Sequence, residues 1–283
     1  MSRTIAYDPT KRSLFKPCAD AIMLDGSATR SEALLCAELA RLVYCPFERD
    51  AATRQAVTSQ LSGIGFSDTT FFDANGLQAL LTVDPVKHVG VLTYRGTEPD
   101  EAKKDVLTNI NVPLRTWDGA GCVHSGFAKS LAGKWEDIRA ALDAHADSRM
   151  LYTGHSLGAA LATLSAALRP PAALYTFGSP KVGDAAFAAS MAGVVHDRYV
   201  DCLDVVCRLL DVLPLYQHVG VQKYFDRNGE LRAAISEADI RTDQRSAWIS
   251  YLFNYSWRPG NVPLRDGADH APINYIYALR ALP

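Results

Sequence analysis

The sequence lacks the features that mark several large classes of protein. Its 283 residues carry 29 basic and 31 acidic side chains, a formal net charge of −2. It therefore has no basic surplus with which to bind the phosphates of a nucleic acid. No apolar run in the sequence approaches the ~20 residues that a bilayer-spanning helix requires. We expect no nucleic-acid partner and no transmembrane segment.

Disulfide patterns and leader features are also missing. The six cysteines include no CxxC pair, and in a chain of this length we expect them to be reduced and mostly buried among apolar residues. The first residues contain no apolar segment of the kind that a secretory signal has. We expect a cytoplasmic protein, with two alternatives: a signal removed beforehand, or export by a route that needs none.

Neither the histidines nor the glycines form a metal- or phosphate-binding motif. His88, His124, His145 and His155 show no HExxH or paired ligand spacing. A glycine-rich phosphate loop is absent as well. We therefore expect no catalytic metal and no cofactor.

What the chain does have is the composition and the alternation of an α/β protein. Hydrophobic residues make up 48% and charged residues 21%, which is ordinary for a globular chain. Strands are predicted at 78–83, 89–94, 150–153, 173–177, 194–200 and 205–210, and helices at 27–43, 127–145 and 157–168. This order predicts one domain over residues 1–283, with a central, mostly parallel sheet and helices on both faces.

A GxSxG pentapeptide, Gly154-His155-Ser156-Leu157-Gly158, lies between a predicted strand and a predicted helix. A sharp strand-to-helix turn of this kind exposes the serine hydroxyl at the top of the sheet, and its glycines allow close backbone approach. The pattern together with its context predicts Ser156 as a nucleophile.

At these residues the chain resembles the class 3 (fungal-type) lipases of the α/β-hydrolase fold. GHSLGAALA resembles the turn that carries the nucleophile in that family, with Ala159 where a third glycine is more usual. Four further segments are similar and follow in family order: TYRGT at 93–97, VHSGF at 123–127, TFGSPKVGD at 176–184 and YQHVG at 216–220. The resemblance runs from about residue 90 to 275 and implies hydrolysis of carboxylic esters of acyl lipids.

A serine nucleophile needs a base, and the base needs a carboxylate to orient it. In α/β-hydrolases the chain order is serine, acid, histidine, and only His196, His218 and His270 follow Ser156. The resemblance implies His270 as the base, in the DHxxY-like position of the family, although Tyr275 lies further along the chain than usual. It implies a structural role for His218.

Three aspartates compete for the role of the acid. They are Asp201, Asp204 and Asp211. The resemblance selects Asp204, with Cys207 in place of the proline that the family usually has. Asp211 is the alternative, because the segment at 210–214 could be a displaced copy of the same pattern.

The oxyanion hole and a lid complete the expected site. The N–H of Leu157 is one donor by the geometry of the turn, and the resemblance implies Thr97 as the second, with Asp105 supporting its hydroxyl. It also implies a lid at about residues 98–122. Residues 98–105 are heavily charged and offer little of the broad apolar inner face that a lid opening on oil needs.

Two segments have no counterpart that we can assign. Tyr251, Phe253, Tyr255 and Trp257 alternate with other residues, which predicts a half-buried strand. The surrounding insertion, about residues 227–265, has no predicted role.

The function that follows is a serine hydrolase acting on acyl lipids or acylglycerols, with peripheral contact to a lipid surface. Short-chain carboxylesterase and phospholipase A1 are alternatives with the same chemistry, favoured by the charged start of the lid. A catalytically silent, lipase-like binding protein is the alternative from another class.

Overall fold

A central sheet brings distant segments of the chain to one edge. The computed structural model describes residues 5–24, 31–74, 76–97, 113–211 and 213–282. Its strands are β1 (Asp68–Ala74), β2 (Leu77–Asp84), β3 (Val89–Tyr94), β4 (Leu114–Thr116), β5 (Cys122–His124), β6 (Arg149–His155), β7 (Ala173–Phe177), β8 (His196–Asp201), β9 (Val221–Phe225) and β10 (Leu231–Arg232). Eight of them form one sheet in the order β1-β2-β3-β6-β7-β8-β9-β10, and β4 pairs with β5 apart from it.

The middle of the sheet is parallel. Strands β3, β6, β7, β8 and β9 pair in parallel register, while β1, β2 and β10 are antiparallel at the two sides. The prediction of a mostly parallel sheet is confirmed. The carboxyl ends of parallel strands meet at one edge, where α/β proteins bind their ligands.

Helices cover both faces of this sheet. They are α1 (Lys11–Phe15), α2 (Glu32–Leu42), α3 (Ala51–Ser62), α4 (Ser125–Ala132), α5 (Trp135–Ala144), α6 (Leu157–Leu168), α7 (Ala185–Ser190), α8 (Glu237–Asn254), α9 (Arg265–Ala268) and α10 (Pro272–Arg280). Helices α2 and α10 pack together on one face, and α4 and α6 pack together on the other. In the part of the chain that the structure describes, no helix is long and apolar enough to cross a membrane.

Side chains of the buried strands alternate between the two faces, because successive residues of a strand point in opposite directions. One core contains Leu80, Val91 and Leu151, and the other contains Leu81, Leu92 and Tyr152. Strands buried on both sides in this way read as continuous apolar runs, which explains why β3 and β7 agree with their predicted bounds.

The helix predicted at 127–145 is instead two helices. Helix α4 ends at Ala132 with Gly133 as its C-cap, and α5 begins at Trp135. Glycine costs a helix about 1 kcal/mol relative to alanine, so a break there is inexpensive. The helix predicted at 27–43 is observed at Glu32–Leu42, where the Ser31 hydroxyl accepts from the N–H of Leu34 at 3.2 Å; residues 25–30 are not among those described.

The strand predicted at 205–210 is wrong. Residues 205–210 form a loop with a 3₁₀ turn at Val206–Arg208, in which Asp204 Oδ1 accepts from the N–H of Val206 at 2.8 Å. A short aspartate side chain that binds nearby backbone in this way favours turns over strands.

The strand predicted from the aromatic alternation at 251–257 is also wrong. This segment begins in the last turn of helix α8, which ends at Asn254. Tyr251 and Tyr255 are four residues apart, as are Phe253 and Trp257, so two helical pairs interleave and imitate a period of two. Tyr251 is buried, whereas Phe253 and Trp257 are exposed.

The segment predicted as a lid is described only in part. Residues 98–112 lie outside the described residues, and the remainder contains the antiparallel pair β4–β5. The lid and the single domain over residues 1–283 stay predictions.

Candidate active site

Ser156 occupies a tight turn between β6 and α6. Its φ of 59° and ψ of −128° are unusual for a residue other than glycine and are typical of a strained, functional turn. The N–H of Ser156 donates to the carbonyl of Phe177 at 3.0 Å, which ties the turn to the end of β7. The strand–turn–helix setting predicted for Ser156 is observed.

The glycines of the pentapeptide are required by close backbone contacts. A Cβ on Gly154 would collide with the backbone of Gly158, and a Cβ on Gly158 would collide with the carbonyl of Tyr94 at the end of β3. The start of α6 therefore lies directly against the segment that leads from Tyr94 to Thr97.

His270 and Asp204 form a buried pair beside this turn. Nδ1 of His270 lies 2.9 Å from both carboxylate oxygens of Asp204, and both residues are almost completely buried. Gly178, directly after β7, has a φ of 58°, and a Cβ there would lie 2.6 Å from Asp204 Oδ2 and 3.1 Å from His270 Nδ1. Since Ser156 is bound to Phe177, the three predicted residues meet at the carboxyl end of β7.

The competing histidines lie elsewhere. His196 lies in β8 with Nε2 2.8 Å from the Thr176 hydroxyl, and His218 donates from Nε2 to the carbonyl of Cys207 at 3.0 Å. Burial lowers the pKa of each to about 3, so both stay neutral. Neither is bonded to a carboxylate in the described residues.

The competing aspartates are also separated from His270. Asp211 is half exposed and pairs with Lys181 at 3.0 Å. Asp201 is buried, and burial together with the nearby Asp269 raises its pKa well above the ordinary value. Of the three candidates, Asp204 is the one bonded to His270.

Tyr275 is a site residue that sequence reasoning did not assign. Its hydroxyl donates to Asp204 Oδ2 at 2.6 Å and accepts from the N–H of Asp201 at 3.1 Å. Asp204 thus accepts hydrogen bonds from the tyrosine, from Val206 and from His270, which holds its carboxylate in one orientation. The signal in the sequence was the DHxxY-like pattern, with the tyrosine two positions later than in that pattern.

His155 supports the backbone of the base. Its Nε2 lies 2.8 Å from the carbonyl of His270, and its Nδ1 lies 2.9 Å from the Tyr44 hydroxyl. Because a carbonyl can only accept, Nε2 carries the proton and Nδ1 accepts from Tyr44. Burial, with a contribution from His270, lowers the pKa of His155 well below its ordinary value and keeps the ring neutral.

A second buried pair stabilises the loops on either side of the site. Arg265 donates from Nε to both oxygens of Asp269 at 3.2 and 3.0 Å. Asp269 also accepts from the Tyr7 hydroxyl at 2.8 Å and from the N–H of Leu203 at 3.0 Å. Since Asp269 precedes His270 and Leu203 precedes Asp204, this carboxylate connects the loop of the base to the loop of the acid.

Replacing Asp269 by asparagine should therefore destabilise the fold. The change leaves the Arg265 charge buried without its carboxylate, and removing one partner of a buried pair costs about 3–5 kcal/mol. Urea denaturation should show a loss of that order. As a control, Glu237→Gln removes the partner of Arg241 in an exposed pair and should change the free energy of unfolding by less than about 0.5 kcal/mol. Equal effects of the two substitutions would contradict this account.

The two expected oxyanion donors, Leu157 and Thr97, lie near the turn, whereas the residue expected to support Thr97 cannot be placed. Leu157 is the first residue of α6, and Thr97 follows Gly96, where an added Cβ would lie 2.7 Å from the carbonyl of His155. Asp105 is outside the described residues. The roles of Leu157, Thr97 and Asp105 stay predictions.

His155, Asp204 and His270 each offer a ligand atom within 4.8 Å of the others, close enough for a metal to be considered. Both ring nitrogens of His155 are already bonded, and so is Nδ1 of His270. A metal would have to displace these hydrogen bonds, so the donor set fits a bonded network better than a metal centre.

The comparisons with known proteins find similarity to lipases. The family described as Lipase (class 3) matches residues 91–213. A secreted mono- and diacylglycerol lipase 1 from Fusarium solani is 33% identical over 168 residues, which cover 53% of this chain and 48% of that protein. A secreted mono- and diacylglycerol lipase A from Penicillium cyclopium is 30% identical over 186 residues, covering 62% and 59%. The chain spans about half the length of these curated relatives.

Solved structures show the same fold. A lipase from Rhizopus microsporus var. chinensis superposes with a TM-score of 0.56 at 21% identity, covering 79% of this chain and 84% of that one. At that identity the likeness shows the fold alone, and the fold is that of the α/β-hydrolases. The segment at residues 91–213, which contains Ser156 and Asp204, is similar to the class 3 lipases, and the fold of the whole chain is similar to that of solved lipases.

Proposed function

We propose that this chain is a serine hydrolase that cleaves carboxylic esters of acylglycerols and related acyl lipids through an acyl-enzyme intermediate. The observation that carries the proposal is the position of Ser156, on a strained turn beside the buried pair His270–Asp204. The relatives named mono- and diacylglycerol lipases support acylglycerols as the substrate class.

Acylation begins at the serine. The hydroxyl oxygen of Ser156 attacks the ester carbonyl while Nε2 of His270 takes its proton, and Asp204 stabilises the imidazolium that forms. The N–H groups of Leu157 and Thr97 donate to the developing oxyanion, with Asp105 supporting the Thr97 side chain. The alcohol then leaves with the proton held on His270.

Deacylation repeats these steps with water. Nε2 of His270 takes a proton from water, which attacks the acyl carbonyl, and the same N–H groups stabilise the second tetrahedral intermediate. Collapse of that intermediate releases the fatty acid and returns the proton to Ser156. No step needs a metal or a cofactor.

Two alternatives differ in substrate, and a third differs in class. The charged run at 98–105 favours a short-chain carboxylesterase or a phospholipase A1 over a lipase that acts on oil. A catalytically silent binding protein is disfavoured, because burying a histidine–aspartate pair costs free energy that binding alone would not require.

The cytoplasm remains our proposal for the compartment, although the two curated relatives are named as secreted. All six cysteines are free thiols, four of them buried, as is usual in a reducing compartment. Export, either with a signal removed beforehand or by a route that needs none, is the alternative.

Hydrolysis of p-nitrophenyl esters with two to sixteen carbons tests the proposal, beside an emulsified triglyceride and a dispersed monoacylglycerol. We expect turnover of the esters and of the monoacylglycerol. Activity confined to the shortest esters would replace the acylglycerol assignment by carboxylesterase. Absence of turnover on every substrate, together with absence of labelling by a fluorophosphonate, would leave the silent protein as the better account.

A further inference from the structure

Helix α8 carries an apolar face that points to solvent. We call Trp248, Ile249, Phe253 and Trp257 the α8 face; their exposed fractions are 45%, 42%, 78% and 69%. Ile249, Phe253 and Trp257 follow one another at intervals of four residues, which places them along one side of the helix and just past its end. Large apolar side chains exposed together in this way mark an interaction surface.

The opposite side of the same helix already supplies its contribution to the core. Ala247 and Tyr251 are completely buried, and the Tyr251 hydroxyl donates to the carbonyl of Val262 at 2.6 Å. The fold therefore does not require the apolar side chains of the α8 face. Helix α8 lies in the insertion at about residues 227–265, for which the sequence offers no counterpart that we can assign.

Positive charge lies beside this face. Arg245 is exposed one turn before Ile249, and the Arg258 guanidinium lies over the Trp257 ring at 5.5 Å from its centroid. Arg241 pairs with Glu237, whereas Arg245 and Arg258 form no ion pair within the described residues. Aromatic side chains next to unpaired arginines are typical of surfaces that enter the headgroup region of a membrane.

The face is also close to the active site. Gln244 donates from its side-chain amide to the carbonyl of Cys202 at 2.8 Å, and Ala247 packs in one cluster with Leu203 and Cys207, on either side of Asp204. One helix diameter of about 10 Å therefore separates the α8 face from the loop of the catalytic acid. A lipid surface in contact with this face would therefore lie about one helix diameter from the loop that carries Asp204.

We propose that the α8 face docks the protein on lipid surfaces, with Arg245 and Arg258 binding anionic headgroups. Docking would serve to deliver acyl substrates, and this use of it rests on the proposed function. The docking itself does not depend on that function. A lipid surface fits better than a second copy of the chain. Anionic headgroups would pair with Arg245 and Arg258, whereas a two-fold contact of this face with itself would bring these like charges together.

Vesicle binding tests the proposal independently of catalysis. The full chain with Ser156→Ala is mixed with phosphatidylcholine vesicles, with and without phosphatidylglycerol, and the bound fraction is measured by flotation. Adding Phe253→Ser and Trp257→Ser should weaken binding to both kinds of vesicle about tenfold or more, because apolar area is lost. Adding Arg245→Gln and Arg258→Gln should remove only the increase caused by phosphatidylglycerol.

The matched control removes exposed apolar side chains from the other edge of the sheet. Val86 and Val195 are 87% and 64% exposed and precede β3 and β8, so Val86→Ser with Val195→Ser should leave vesicle binding unchanged. Circular dichroism and urea midpoints show whether each variant has folded, and Trp257→Phe, a milder change, should reduce quenching of the protein's fluorescence by brominated phospholipid.

The outcomes separate this proposal from the one it builds on. Equal vesicle binding by the Phe253/Trp257 variant and its control would overturn docking through α8, as would a wild-type dimer in sedimentation that the Phe253→Ser substitution dissociates. Vesicle binding that depends on the α8 face in a chain that hydrolyses no ester would sustain the docking and overturn the proposed function.

Discussion

Replacement of Ser156 by alanine should lower kcat for a soluble p-nitrophenyl ester by about 10⁴–10⁶-fold, since loss of a triad nucleophile commonly costs that much. The substitution removes one hydroxyl from a turn that is defined by backbone contacts: the N–H of Ser156 still donates to Phe177, and the close approach of Gly154 and Gly158 does not involve the side chain. The variant should therefore fold normally, and its loss of activity should appear as a lower kcat.

Steady-state kinetics and fluorophosphonate labelling measure this directly. The wild-type protein should be labelled once, at Ser156, and the variant should not be labelled. Ser190→Ala is a suitable control, because that hydroxyl donates to the carbonyl of Phe187 at the end of α7, away from the proposed site. Retention of labelling in the Ser156 variant would mean that another serine is the nucleophile.

Replacement of Asp204 by asparagine should lower kcat about 10⁴-fold, the size of the effect when a triad acid loses its charge. The carboxylate accepts from Nδ1 of His270 at 2.9 Å, which leaves Nε2 free to take the serine proton. An asparagine side chain can turn its NH₂ group towards Nδ1, and the imidazole would then carry its proton on Nε2, where it cannot act as a base.

Asp211→Asn is the matched control for this prediction. Both residues lie in the loop after β8, and Asp211 was the alternative acid by sequence, yet its carboxylate pairs with Lys181. We expect it to keep kcat within about threefold of wild type, as for a surface ion pair of small energetic value. A large loss in the Asp211 variant with little loss in the Asp204 variant would reverse the assignment of the acid.

Elements defined by local chemistry were predictable from the sequence. Strands β3 and β7 and helix α6 have their predicted bounds, because a short, doubly buried strand and an alanine–leucine helix are each recognisable from neighbouring residues. The GxSxG pattern of the turn at Ser156 is also recognisable from five neighbouring residues, although the contact that requires Gly158 is made with Tyr94 of β3. Helix α8 was misread because two pairs of aromatic residues at helical spacing imitate the alternation of a strand.

What the sequence by itself determined was thus the class of fold, together with the prediction of a nucleophile at Ser156 and of the chemistry that a nucleophile in that turn requires. Only the tertiary structure decided which carboxylate faces His270, and it revealed Tyr275 and His155 as the residues that hold the acid and the base in place. The physical reason is distance along the chain. Asp204 and His270 are 66 residues apart, and hydrogen bonds across such a separation depend on how strands and helices pack, which no local pattern of residues encodes.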